Sequence, residues 1–394
     1  MMSRNRIAAF GIVLGVVAAL AIVSAARAEE EERGPGLYPR CKIGTADASM
    51  RTIIDDIEEA SPQPGSARQY TPPSLAQRES LALGLDRLTA GLRTLAAQKL
   101  AEAGFEVCQG GIDTIPPGYS RVVLVYDEQG RAAASSVGRP VLVYREEAVG
   151  LTGKGMVLGV PHLNEDGTQD MALNAFATQT SQVRAVVLAG THRCNLTTNS
   201  ADDGTTGECG GHYKISDMAH QFDDMIPTEG PTDFQVMHDR MRHRHPDAPH
   251  VQLHGMRVAP GDPEDEDWGF EISDGGDGVT NPAIEEPVER AHAAYLDTLT
   301  TAMNVDGITA AEQTELDFMT TCQAYSTDSD PMFEVPATDR HCGTNSDQGQ
   351  IERHRGFGDR WLHLEISEYI RNTDGSDPAV FNALQTMITE LVSG

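Results

Sequence analysis

The chain is poor in cations. It sets 30 Lys and Arg against 59 Asp and Glu, for a formal charge of −29. Phosphate contacts need clustered Lys and Arg, so this composition argues against a nucleic-acid partner. An acidic surface does not draw anionic substrates from a distance, and an acidic substrate would need a local arginine. The six cysteines include no CxxC pair, which removes the usual thiolate zinc motif. There is no HExxH, no GxSxG and no GxxxxGK[ST], so helix-borne zinc-protease, nucleophile-elbow and P-loop chemistries have no anchor. Beyond the first 28 residues no apolar run is long enough to span a bilayer.

What is present begins with "MMSRNRIAAFGIVLGVVAALAIVSAARA". Arg4 and Arg6 precede an apolar run from Ile7 to Val23, and Ala26-Arg27-Ala28 is a small-x-small exit. That order predicts a secretory signal cut after Ala28, with an uncleaved anchor as the alternative. The expected location is secreted or periplasmic, with no membrane contact after cleavage. An even number of cysteines behind such a signal predicts disulfides. Proximity favours Cys194 with Cys209 and Cys322 with Cys342, which leaves Cys41 with Cys108.

Residues 29–75 are acidic, then rich in Pro, Ser and Gly, and read as a tether with one short helix near Met50 to Ala60. Residues 76–394 read as a single large domain, since the hydrophobic content of 39% supports a real core. Leu and Ala recur at helical spacing over 75–104, with Gly104 as the stop. "RVVLVYDEQGR" and "GRPVLVYREE" predict two paired strands. Strands then alternate with helices: strands at 156–161, 184–190, 250–253 and 361–366, and helices at 170–182, 234–244, 287–299, 309–322 and 378–392. This alternation predicts an α/β fold with a mixed, mainly parallel central sheet flanked by helices. Acidic, Gly-rich loop insertions interrupt it at 261–287 and 326–358.

The strand ends share a chemistry. "MVLGVPH" ends at His162 with Glu165 three residues on, "AVVLAGTH" at His192 with Arg193 next, "HVQLH" at His254, and "LHLE" at Glu365. In open α/β sheets ligands bind at the carboxyl ends of strands. If the four strands are parallel neighbours, these groups converge. Imidazoles and carboxylates near a core are costly unless paired or bound to metal, and a catalytic zinc needs three protein ligands and one open position. His162, Glu165 and His254 supply three ligands, and Glu365 supplies a general base for the attacking water.

At these residues the chain resembles the zinc metallocarboxypeptidase superfamily. "HLNE" resembles its HxxE pair, "VQLHG" its later strand-end histidine and "LHLEIS" its late glutamate strand. Within that superfamily the motifs "HLNEDGTQDMA", "LHGM" and "LEISEYIR" are similar to phage-type poly-γ-glutamate hydrolases, over about forty residues in order. The spacing of His162 to Glu165 follows the carboxypeptidases instead. The resemblance implies zinc as cofactor, a phosphorylase/hydrolase-like sheet, and a peptide or amide substrate bearing a carboxylate. Arg193 is then the candidate for holding that carboxylate or polarising the scissile carbonyl. His192, Asp217 and His220 are candidate substrate-binding groups. A non-catalytic binding module on a degenerate hydrolase fold, and a cell-wall amidase, are the other readings.

Two further motifs carry less. "MHDRMRHRHPDAPH" reads as a solvated helix and a Pro turn rather than a second metal site. "NVDGITAAEQ" fails as a calcium loop, because the frame set by Gly307 puts Ala302 and Gln313 in ligand positions.

Overall fold

The computed structural model describes residues 38–62, 70, 73–114, 121–132, 135–146, 155–162, 167–178, 183–191 and 232–256, the strands at 270–273, 319–321 and 361–367, and seven isolated helical residues between 290 and 390. The proposed signal peptide lies outside the described residues. Among the described residues no helix is long and apolar enough to cross a membrane.

Among the described residues the framework is a nine-stranded mixed sheet. In chain order its strands are β3 (Glu106–Gln109), β4 (Val122–Tyr126), β5 (Val141–Arg145), β6 (Met156–Val160), β7 (Val183–Leu188), β8 (His250–Met256), β9 (Phe270–Ser273), β10 (Met319–Thr321) and β11 (Trp361–Ser367). Strands β1 (Lys42–Ile43) and β2 (Ala46–Asp47) form a separate small ribbon. Across the large sheet the order is β10-β9-β11-β8-β6-β7-β5-β4-β3. The four middle strands, β11, β8, β6 and β7, are parallel to their neighbours in that group. Antiparallel pairing begins at β5 on one side and at β9 on the other. The sheet is thus the mixed α/β sheet that the sequence predicts, with four parallel pairings and four antiparallel ones.

Among the described residues five α-helices cover the two faces: α1 (Met50–Ala60), α2 (Leu75–Thr89), α3 (Arg93–Glu102), α4 (Thr168–Thr178) and α5 (Asp233–Arg244). Met50, Ile53, Ile54, Ile57 and Ala60 of α1 recur at helical spacing and are all buried. With the apolar stripe of α4 they pack on one face of the sheet, against residues such as Leu124, Leu158, Val186, Leu253 and Leu364. Helices α2, α3 and α5 pack on the other, against Val125, Tyr144, Val157 and Val187. Strands β4, β5 and β6 therefore divide their side chains between the two cores by simple alternation.

Three local readings change. The helical stretch at 75–104 is two helices, because Gly91 adopts φ 76° and Leu92 begins a new helix. Gly104, at φ 87°, ends the second as expected. Gly84 lets the two helices close on each other, since a Cβ there would lie 2.8 Å from Leu100 Cγ. Of the helix expected at 309–322 only 319–321 are described, and they form β10, which pairs in parallel with β9. Sheet pairing outweighs helix propensity there. Strand β9 itself lies within the acidic stretch expected to be a loop insertion. The helices expected at 287–299 and 378–392 and the insertion at 326–358 lie mostly or wholly outside the described residues.

The segment read as a tether is partly built into the core through α1. A disulfide between Cys41 and Cys108 fixes it to β3, as the proximity reading predicts. The other two predicted disulfides lie outside the described residues.

Candidate metal centre

Strand β6 is where the chain changes direction across the sheet. From β6 it steps one way, through α4, to β7, and afterwards the other way, through α5, to β8 and then β11. Helices α4 and α5 lie on opposite faces. The carboxyl ends of β6 and β8 therefore flank a topological switch point, where open α/β sheets leave a crevice for ligands. His162 stands two residues past the end of β6, and His254 near the end of β8. Glu365 is the register partner of His254 on β11.

Register also explains which side chains gather. On β8 and β11 the pairs are His250 with Trp361, Gln252 with His363, and His254 with Glu365. Partners in register project from the same face. The intervening residues Val251, Leu253, Leu362, Leu364 and Ile366 face the α1/α4 core. Fully covered parallel strands are usually apolar on both faces. Here one face of two adjacent strands is apolar and the other carries three imidazoles, an amide, an indole and a carboxylate, all buried. Gly159 of β6 continues that face, and a Cβ there would already touch Gln252 Cγ at 3.5 Å.

His254 is the hub. Its ring lies edge-on to His162, with centroids 4.7 Å apart, and tilted over His363 at 4.1 Å. Its Nε2 donates to Gln252 Oε1 at 3.3 Å. A proton on Nε2 leaves Nδ1 with a lone pair, the form a metal ligand needs. That Nδ1 faces Glu365 Oε1 at 3.9 Å, and His363 Nε2 faces the same oxygen at 3.6 Å. Donor atoms of His254, His363 and Glu365 lie within 4.8 Å of one another, and all three residues are buried. This triplet does not include His162, which adjoins it through the His254 ring. Two imidazole nitrogens and one carboxylate oxygen, with a third imidazole alongside, are a donor set that suits zinc.

Of the sequence-predicted site residues, the structure brings His162, His254 and Glu365 together. Glu165, His192, Arg193, Asp217 and His220 lie outside the described residues. His363 is the site residue that sequence reasoning missed. Its signal was there in "WLHLE": strand alternation puts His363 on the same face as Glu365.

Deeper along the same face is a second imidazole pair. His250 Nδ1 and His238 Nε2 share a 2.9 Å hydrogen bond, with His238 supplied by α5. Burial, with His238, Arg242 and His245 nearby, holds His250 far below the usual imidazole range, so it is neutral at pH 7. Helix α5 is fixed over this layer at its first residue. Arg139 Nε and Nη2 donate to Asp233 at 2.9 and 3.2 Å, and Arg139 Nη1 donates to the Ala103 carbonyl at 2.7 Å. The helix predicted as solvated is thus buried over half its length, including His238 and Arg242.

No protein-family model matches the chain, and no curated protein matches it. Among solved structures it is similar to a metallo-carboxypeptidase from Burkholderia cenocepacia, at 13% identity and TM-score 0.34 over 64% of this chain and 60% of that one. It is similar to a succinylglutamate desuccinalase from Vibrio parahaemolyticus, at 9% identity and TM-score 0.33 over 69% and 63%. An N-formylglutamate amidohydrolase from Ralstonia eutropha aligns at 12% identity and TM-score 0.30 over 65% and 96%. The chain thus spans less than two thirds of the length of the first two.

Proposed function

We propose that the chain is an extracytoplasmic, zinc-dependent amide or peptide hydrolase. The observation that carries this reading is the buried cluster of His254, His363 and Glu365, with His162 against the His254 ring, at the carboxyl ends of three adjacent parallel strands. A buried imidazole–carboxylate cluster is costly without a cation to organise it. In this reading His162, Glu165 and His254 hold the ion. When bound, zinc supplies Lewis acidity, polarising a carbonyl and lowering the pKa of water to about 7.

The rest of the chemistry belongs to the chain's own groups. Gln252 keeps His254 in the tautomer whose Nδ1 lone pair points toward the centre. Glu365 takes a proton from the attacking water and delivers it to the leaving amine nitrogen as the C–N bond breaks. Arg193 lies two residues past Thr191, where the described part of the β7 end stops. It binds a substrate carboxylate through a two-pronged guanidinium contact or polarises the carbonyl. His192, Asp217 and His220 contribute to the substrate cleft. The substrate class is a carboxylate-bearing amide, γ-glutamyl amides among them.

The test is Glu365→Gln, assayed beside the wild type on γ-glutamyl polymer, peptidoglycan fragments and N-acyl amino acids. The variant is expected to keep its zinc and to lose turnover by roughly 10²-fold or more, the scale of general acid–base catalysis. Unchanged turnover removes Glu365 as the base. A wild type that neither binds zinc nor responds to chelator favours a binding module instead. Turnover confined to peptidoglycan fragments would make the chain a cell-wall amidase.

A further inference from the structure

We propose that His363, rather than Glu165, is the third ligand of the same cation, so that the centre carries three imidazoles, His162, His254 and His363, and keeps one position open. The inference rests on the metallohydrolase reading and goes beyond it, since neither the HxxE pattern nor its later histidine assigns position 363 a role.

Three observations carry it. First, the backbone leaves His363 nowhere else to go: it lies between Trp361 and Glu365 on one face of β11, opposite Gln252 in register, and is 3% exposed. Second, its ring overlaps that of His254 at 4.1 Å, and the two offer nitrogens within 4.8 Å of each other. Third, the separations around Glu365 Oε1 are 3.6 Å from His363 Nε2 and 3.9 Å from His254 Nδ1. A charge-assisted hydrogen bond closes to about 2.7–2.9 Å. The spacing is therefore too wide for a direct imidazole–carboxylate bond and leaves room between the two imidazoles and the carboxylate for an ion and the attacking water. Glu365 then stands at the rim of the ligand shell, where a general base reaches the attacking water.

Gln252 serves the same arrangement. By accepting from His254 Nε2 it turns the lone pair of His254 to the side where His363 Nε2 and Glu365 Oε1 lie. A histidine that only filled space between β11 and α5 would gain nothing from that alignment.

The experiment measures zinc affinity, not turnover. Full-chain protein is stripped with chelator and titrated with zinc against a chromophoric competitor, for the wild type, His363→Ala, His363→Gln and His254→Ala. Cobalt(II) absorption is recorded in parallel, and melting of the metal-free forms checks folding. Both His363 variants are expected to lose about 100-fold or more in zinc affinity, at or beyond the upper end for outer-shell partners. Their cobalt spectra should change with the loss of a nitrogen donor. If both bind zinc within about threefold of the wild type while His254→Ala loses it, the inference is overturned and the metallohydrolase reading survives. If His254→Ala also binds normally, that reading fails with it. His363→Gln keeps the test valid if the alanine variant does not fold.

Discussion

Replacing Asp233 by alanine is expected to destabilise the protein by about 3–5 kcal/mol, the cost of leaving one member of a buried ion pair alone. The carboxylate is fully buried and the guanidinium nearly so. Alanine removes two hydrogen bonds to Arg139 and leaves that cation with the Ala103 carbonyl and the Phe105 ring beneath it. It also removes a negative charge at the N-terminus of α5, worth about 0.3–1 kcal/mol of the total. The reverse variant, Arg139→Met, should cost less. Burial already pushes the Asp233 carboxyl up despite Arg139, so without its partner it can take a proton, whereas an unpaired arginine cannot shed one. The gap between the two variants should widen at lower pH, because the Asp233 left by Arg139→Met becomes easier to neutralise while the arginine left by Asp233→Ala does not. The double variant Arg139→Met/Asp233→Ala should cost well under the sum of the singles, with a coupling of roughly 2–3 kcal/mol. Urea midpoints with constant slope, at pH 5 and pH 7, measure all of this. A coupling below about 0.5 kcal/mol, or an Asp233→Ala cost within about 1 kcal/mol of the wild type, would refute the claim that this pair pins α5 over the imidazole face.

Two other predictions follow from the fold. The Cys41–Cys108 bond spans 67 residues, so chain entropy puts its contribution at about 4 kcal/mol; Cys41→Ser with Cys108→Ser should lower the melting temperature, and an unchanged melt would count against it. His250 is depressed in the folded state, so its contribution is whole above the unfolded value of 6.5 and is lost as pH falls. The acid limb should therefore steepen below that value by up to about 1.4 kcal/mol per pH unit for one proton, and His250→Asn should flatten it. An identical acid limb in the variant would show that His250 does not control it.

Much of the sheet was readable because its middle strands are apolar runs with distinct ends. "MVLGV", "VRAVVL", "HVQLHGM" and "WLHLEIS" announce themselves, and their polar endings mark the functional edge. Their adjacency was not readable strand by strand. It was a condition of the reading, and strand pairing supplies it. The pair β4/β5 and the existence of α1 were equally legible, but not that α1 packs into the core. Strands β9 and β10, of four and three residues, were not, since so few residues carry no periodic signal. The break at Gly91 escaped a reading that followed Leu and Ala spacing alone.

The site shows the same division. His162, His254 and Glu365 stood out as strand endings, but His363 is inside a strand, where a histidine passes for a core residue. Only pairing with β8 reveals that it shares a face with Gln252 and His254. Helix α5 misled in the opposite direction: its Arg and His content suggests solvent, yet one side covers the polar face of the sheet.

The central claim is that the strand ends of β6, β8 and β11 hold a catalytic metal. The most direct measurement is the metal content of the full chain purified without chelator, wild type against His254→Ala, by elemental analysis. One zinc per wild-type chain and almost none in His254→Ala is the predicted result. Zinc absent from the wild type, or retained equally by the variant, would contradict it.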